Sequence, residues 1–230
     1  AIAEVVRKTD ALLLVDAVSS LGAEELRTDE WGVDIVVTGS QKALMLPPGL
    51  GFLSVNERAQ QRAQESKSPG YYFSLKTYLA SQAKTSTPWT PAVSLNLALD
   101  KALEMIREEG LENNWARHAR LSKAIQKGCK AIGLELFSKS PSHVVTPLII
   151  PEGVDGAAIP GMLRDEYGVT IAGGQAHLKG KIIRIATLGY AGDFDATTAM
   201  CALEMALKKM NYDFEMGAGV TAALKALTEE

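Results

Sequence analysis

Two short apolar runs constrain this chain more than any other feature. Leu12-Leu13-Leu14-Val15 is unbroken and ends at Asp16, and Ile35-Val36-Val37-Thr38 is unbroken and ends at Gly39-Ser40-Gln41-Lys42. A strand with one face in water alternates apolar and polar residues, whereas a strand covered on both faces does not. The two runs therefore predict neighbouring strands of a parallel sheet packed under helices. In open sheets of this kind the carboxyl ends of the strands line the ligand crevice. A carboxylate, Asp16, and an amine, Lys42, would then arrive at one edge. Taken singly, Asp16 also suits the start of an ordinary turn, and Lys42 also reads as a solvated surface lysine. The two together, with Gly-Ser-Gln before the lysine, make those readings less attractive. A partly desolvated lysine has its amine form favoured and becomes a nucleophile for carbonyls.

The rest of the chain alternates helix and strand signals. Residues 2–9 read as the last turns of a helix. A turn at Pro47-Pro48-Gly49 leads into a third strand over 50–55, and residues 57–66 read as a polar surface helix. Residues 66–90 are rich in Ser, Thr, Pro and Tyr and are expected to be irregular. Pro91 opens a helix at a favoured early position, with Leu95, Leu99, Leu103 and Ile106 on one face and Gly110 at its end. A second helix over 112–131 carries Leu121, Ile125, Cys129 and Ile132 on one stripe. After Gly133 the spacing predicts strands at 134–137, 144–150 and 182–187, and helices at 157–167 and 195–210. Met200, Leu203, Leu207 and Met210 form the buried row of the last, and Asp155 and Asp195 are candidate N-caps. Residues 217–230 suit a short amphipathic helix or a frayed tail. The expected organisation is an α/β sheet domain over 1–90, a connecting helix over 91–110, and a small α+β domain over 111–230.

Composition narrows the function classes. Apolar residues make up 47% of the 230 and charged residues 22%, which excludes a disordered or low-complexity chain. A net charge of −3 offers no basic surplus for nucleic acid. No apolar run approaches the ~20 residues of a membrane span. Cys129 and Cys201 are the only cysteines, too few and too far apart for a disulfide framework or a metal site. Both lie beside apolar rows and read as core residues. His118 falls on the polar side of its helix, and His143 and His177 lie in loops without companion ligands, so no metal is expected. These features lead to the expectation of a cytoplasmic protein that binds neither membrane nor nucleic acid.

One further residue stands out. Lys181-Ile182-Ile183-Arg184-Ile185-Ala186 is an apolar strand interrupted by a guanidinium. A buried arginine needs a partner. That partner is either a substrate carboxylate, gripped by the planar fork, or an acidic neighbour in a structural salt bridge.

Asp16-Ala17-Val18-Ser19-Ser20-Leu21-Gly22, Trp31-Gly32-Val33-Asp34, Thr38-Gly39-Ser40-Gln41-Lys42-Ala43-Leu44 and Pro47-Pro48-Gly49 together resemble the class V aminotransferases, fold-type I enzymes that use pyridoxal 5'-phosphate. Within the class the chain is most similar to the serine–pyruvate/alanine–glyoxylate aminotransferase group, whose bacterial members are also labelled soluble hydrogenase subunits. The resemblance runs to about residue 210. It implies the C-terminal part of the fold-type I sheet domain followed by a small α+β domain. It also implies transfer of an amino group between a small amino acid (alanine or serine) and a 2-oxo acid (glyoxylate or pyruvate).

By the same resemblance, Lys42 would hold the cofactor as a Schiff base and then move the proton at Cα. Asp16 would pair with the pyridine nitrogen and keep it protonated. Val18 would pack on the ring, or is a plain core valine. Gln41 would contact the phosphate, or is a loop amide. Arg184 would bind the substrate α-carboxylate. Thr87 and Thr90, in Thr85–Pro91, would reach the phosphate of a neighbouring subunit in a homodimer, or belong to a Pro-rich turn that caps the next helix. Tyr71-Tyr72 is an interface or active-site pair or ordinary packing, and Gly173-Gly174 is expected to form a tight turn near the substrate. Cysteine desulfurases, sister enzymes in the class, need a mobile loop cysteine and have histidine where this chain has Gln41. Phosphonate transamination, lyase chemistry and a non-catalytic subunit of a larger assembly remain as alternatives. The family's Gly/Ser/Thr-rich phosphate turn and ring-stacking aromatic precede the Asp strand and have no counterpart here. The chain is therefore expected to be the C-terminal portion of a polypeptide roughly 150 residues longer, with the N-terminal portion as a partner fragment.

Overall fold

The two apolar runs form neighbouring strands. In the computed structural model, which describes residues 1–229, the chain divides into two compact units. The first holds Ala1–Leu21 and Glu25–Glu108; the second holds Gly22–Glu24 and the chain from Glu109 onward.

The first unit opens with a single-turn helix, α1 (Ile2–Val6), and the strand β1 (Leu14–Asp16). A short helix, α2 (Thr28–Trp31), precedes β2 (Ile35–Gly39), which pairs parallel with β1 and places Asp16 opposite Val37. The third strand, β3 (Gly51–Val55), pairs antiparallel with β2, with Gly39 opposite Gly51. Val36 and Thr38 point to the covered face, packed with Val33 and Ala17. Leu14 and Leu53 lie on the other face and are 57% and 59% exposed, so among the described residues that face is not covered as an unbroken apolar run predicts.

Asn56 caps α3 (Glu57–Glu65), its side chain accepting from the Ala59 amide. Within the stretch expected to be irregular lies a further helix, α4 (Leu75–Gln82), capped by Ser74. It buries no residue fully, so it has no apolar stripe for periodicity to find. Pro91 does not open the next helix. Its carbonyl accepts from Val93, where α5 (Val93–Glu109) begins. Nearly all of α5 belongs to the first unit rather than forming a separate connection. Ala102 and Ile106 pack with Leu44 and Leu46 from the loop after Lys42.

The second unit is built on α6 (Leu111–Ala131) and the antiparallel sheet β4 (Val145–Ile149), β5 (Ala172–Gly173) and β6 (Ile182–Ala186), with β6 in the middle. Residues 134–137 form only an isolated bridge, Leu136 to Leu148, rather than a strand. Helices α7 (Ile159–Tyr167), α8 (Asp193–Lys209) and α9 (Ala218–Thr228) complete it. Leu121, Ile125, Cys129, Leu148, Ile183, Met200, Leu203 and Leu207 make the core.

Four readings are corrected. His118 is not on a polar face: it is fully buried, three residues before Leu121 on the same stripe. Cys201 is exposed, one step round α8 from buried Met200. Asp195 is not an N-cap but lies in the first turn of α8, its carboxylate accepting from the Gly192 amide at 2.7 Å. Asp155 stands three residues before Ala158, the N-cap of α7, and accepts from Ala157.

Candidate active site

Parallel pairing brings the carboxyl ends of β1 and β2 to the same edge of the first sheet, and both chemistry-bearing residues follow from it. Asp16 is the last residue of β1 and is exposed. One carboxylate oxygen accepts from the Val18 amide at 3.0 Å, an Asx turn that fixes the carboxylate and leaves its second oxygen available. Val18 is half-buried beside it. Lys42 follows β2 by three residues and is half-buried, with no ion-pair partner among the described residues.

The loop that carries Lys42 is held by a residue that sequence reasoning passed over. Ser40 is fully buried. Its hydroxyl donates to the Pro47 carbonyl at 2.7 Å and accepts from the Leu50 amide at 3.1 Å. Its backbone amide donates to Leu50 O and its carbonyl accepts from Leu46. One serine thus closes the loop from 40 to 50 with four hydrogen bonds. Inside it, the Lys42 carbonyl accepts from Met45, which sits at φ +64°, a left-handed conformation unusual for a residue with a side chain. A serine preceding two polar residues gives no signal of this in sequence.

Gln41 is exposed, and its amide lies over Gly39: a carbon added at Gly39 would stand 3.0 Å from Gln41 Oε1. The bare backbone there leaves room beside the amide.

Thr87 donates to the Trp89 carbonyl at 2.7 Å, and Thr90 is exposed. The Trp89 ring stacks on Tyr72 at 5.4 Å and tilts against Tyr71 at 5.0 Å. Tyr71, Tyr72 and Phe73 remain 78%, 53% and 90% exposed, an aromatic surface on this segment.

Arg184 lies in the second unit, on the central strand β6, and is half-buried. Its Nε donates to the Gly173 carbonyl at 3.0 Å. It makes no ion pair among the described residues, so the structural salt bridge weighed above is not present there. The adjoining Gly174 is required by space, since a side-chain carbon would come within 2.0 Å of Leu178 O. Among the described residues no group of three His, Cys, Asp or Glu side chains could hold a metal, and no helix is long and apolar enough to cross a membrane.

The chain is similar to known proteins over nearly all of its length. The family profile described as aminotransferase class-V matches residues 1–189. The chain is 43% identical over 220 residues to the soluble hydrogenase small subunit of a Synechococcus species, covering 95% of this chain and 57% of that protein. It is 40% identical over 220 residues to serine–glyoxylate aminotransferase of Arabidopsis thaliana, covering 94% of this chain and 55% of that one. The crystal structure of ureidoglycine–glyoxylate aminotransferase from Bacillus subtilis superposes with a TM-score of 0.91 at 34% identity, covering 98% of this chain and 60% of that one. The chain thus spans well under two thirds of the relatives it matches, and over that span it has their mixed α/β fold. With the profile over most of the chain and relatives at 40% identity or more along nearly all of it, the chain belongs to the class V aminotransferase family.

Proposed function

We propose that the chain is the lysine-bearing part of a pyridoxal 5'-phosphate-dependent aminotransferase. It would exchange an amino group between a small amino acid, alanine or serine, and a 2-oxo acid, glyoxylate or pyruvate. The observation that carries this is the delivery of Asp16 and Lys42 to one sheet edge by parallel strands. The residues fit the cofactor. The carboxylate keeps one oxygen available beyond its Asx turn, the amine has no ion-pair partner among the described residues, and bare Gly39 backbone lies beside the Gln41 amide. When bound, the cofactor supplies an aldehyde for an amine and a ring that takes up the electron pair left at the substrate Cα.

The chain's own residues do the rest. The Asp16 carboxylate would hold the proton on the ring nitrogen, so Asp16→Asn should damage turnover more than cofactor retention. Lys42 Nζ would hold the cofactor and, when free, would be the base that takes the proton from the substrate Cα and gives it back. The Ser40 clasp sets where Nζ can reach. Val18 would pack on the ring, and the Gln41 amide would donate to the phosphate. Arg184, with only Nε engaged by protein, offers its remaining N–H groups to the substrate carboxylate. Thr87 and Thr90 reach the phosphate of a second copy in a homodimer, which the exposed aromatics at 71–73 favour. The name of the Arabidopsis relative supports serine and glyoxylate as substrates. The Synechococcus relative's name favours a second reading, a subunit of a hydrogenase assembly without its own chemistry.

Both readings meet one test. Full-length protein with pyridoxal phosphate should show a visible absorbance band, and borohydride should fix the cofactor mass on Lys42. Lys42→Ala should abolish both. A protein without the band is the non-catalytic subunit. Half-reactions with alanine, serine and 2-aminoethylphosphonate, followed by loss of the band, assign the donor; a response to the phosphonate alone would displace the carboxylic substrates. Arg184→Ala should weaken carboxylate-bearing donors by about 2–5 kcal/mol, and an unchanged KM would remove Arg184 from the site.

A further inference from the structure

A partly buried polar network grips the turn that follows the Arg184 strand, and the proposed chemistry does not use it. Arg117 on α6 engages all five of its donors. Nε and Nη2 bind the two Glu109 oxygens at 2.6 and 3.0 Å, and Nη2 also donates to Asn114 Oδ1 at 2.9 Å. Nη1 donates to the carbonyls of Gly189 and Ala191, each at 2.9 Å. One residue on, fully buried His118 sets Nδ1 2.8 Å from the Asn114 carbonyl and Nε2 3.2 Å from the Gly189 amide nitrogen. A carbonyl only accepts and a backbone amide only donates. The tautomer is therefore fixed: Nδ1 carries the hydrogen and Nε2 is bare. One helix thus holds the turn by two carbonyls and one amide. Upstream, Thr187 prolongs β6, its amide donating to Val144 O and its hydroxyl to His143 O. The turn is the next thing along the chain from the arginine's strand.

We propose that His118 is a positioning residue for carboxylate binding at Arg184, holding the turn after β6 as the neutral imidazole and releasing it on protonation. This rests on the reading of Arg184 given above. Protonation would put a hydrogen on Nε2, facing the Gly189 N–H, so two donors would oppose each other where a bond now stands. Burial holds the imidazole below its ordinary value; the Asn114 carbonyl works against this, Arg117 adds to it, and Glu109 and Glu24 oppose it. The folded protein therefore binds fewer protons than the unfolded one. The latch is complete above pH 6.5 and fails as pH falls through the lowered value.

The test compares wild type, His118→Gln and His118→Phe in the cofactor-loaded full-length enzyme. Gln offers an oxygen to the Gly189 amide but does not titrate; Phe offers nothing. In wild type, KM for the amino acid should rise, by up to about tenfold, as pH is lowered below 6.5 through the imidazole's lowered value, while kcat holds. Hydrogen exchange at Gly189, corrected for its intrinsic pH dependence, should accelerate in parallel. Both profiles should be flat in His118→Gln, and His118→Phe, if it folds, should behave at neutral pH as wild type does in acid. If His118→Gln keeps the wild-type pH profiles while Arg184→Ala still raises KM, the latch is refuted and the Arg184 reading stands. Exchange that follows the imidazole with a KM that does not also refutes the positioning role. An Arg184→Ala variant with unchanged KM removes the underlying reading and the proposal with it.

Discussion

Asp34 shows how one side chain sets where strands begin. It precedes β2 and is almost fully buried. One oxygen accepts from the Leu13 amide at 2.7 Å, just before β1; the other accepts from the Asn56 side chain at 2.9 Å, at the cap of α3; Arg58 approaches both. Burial raises the carboxyl, but the Leu13 amide, the Asn56 amide and the charges of Arg58 and Arg7 together hold it below its ordinary value of 3.8. The folded state therefore binds fewer protons, and the contribution is present above that value and lost as pH falls through the lowered one. Asp34→Asn should cost about 1–3 kcal/mol at neutral pH, and its melting curve should converge on wild type as the solution is acidified below about pH 4. A constant gap down to pH 3 would show that the charge is not what matters. Asp16, Lys42 and Arg184 could be singled out as candidates from the sequence because each ends, closely follows or interrupts an apolar run. Asp34, Ser40 and His118 do not stand out in this way, because their partners, backbone groups for Ser40 and His118 and the Leu13 amide with the Asn56 and Arg58 side chains for Asp34, are brought near only by folding. His118 could have been found: its spacing of three from Leu121 puts it on the buried stripe.

At the scale of elements, α9 rests on α6 through two bare backbones. A side-chain carbon at Gly128 would stand 2.8 Å from the Gly219 carbonyl, and one at Gly219 would stand 2.9 Å from the Gly128 carbonyl. Glu204 on α8, buried, accepts from the Gly217 and Val220 amides at the start of α9 and so satisfies two of its unpaired donors. Gly128→Ala should therefore lower stability by about 1–3 kcal/mol, since a carbonyl cannot move aside as a flexible side chain can. Calorimetric melting, with exchange over residues 218–228, measures it, and an unchanged melting temperature would mean the helices can separate slightly without cost. Helices with a continuous apolar row, α6 and α8, could be read from spacing. The α4 helix could not, having no fully buried residue, and residues 134–137 fell short of a strand because their pairing with β4 stops at one bridge, Leu136 to Leu148, made by Phe137 N–H to Pro147 O and Ile149 N–H to Glu135 O.

Over the whole molecule, the broad plan of an α/β part followed by an α+β part was readable from the change in pattern after Gly133. The boundary was not, because α5 buries its apolar face on the lysine loop and so joins the first unit, while Gly22–Glu24 goes with the second, where Glu24 accepts from the His143 amide. Ranking the pairings by chain separation shows what the Ser40 clasp does in time. The β2–β3 pair closes through a short local loop, whereas β1 must find β2 across about twenty residues, with Leu14 opposite Ile35. Closure entropy grows with loop length, and local pairings form sooner. The hairpin bearing Lys42 should therefore acquire its shape before Asp16 arrives, and pulse-labelled refolding should protect amides of 36–54 ahead of those of 14–17. Simultaneous protection would mean the parallel pair nucleates the sheet. If the order holds, the Lys42 loop is a self-sufficient piece of chain, and the arrival of the Asp16 strand end at the same edge is the last thing the sheet assembles.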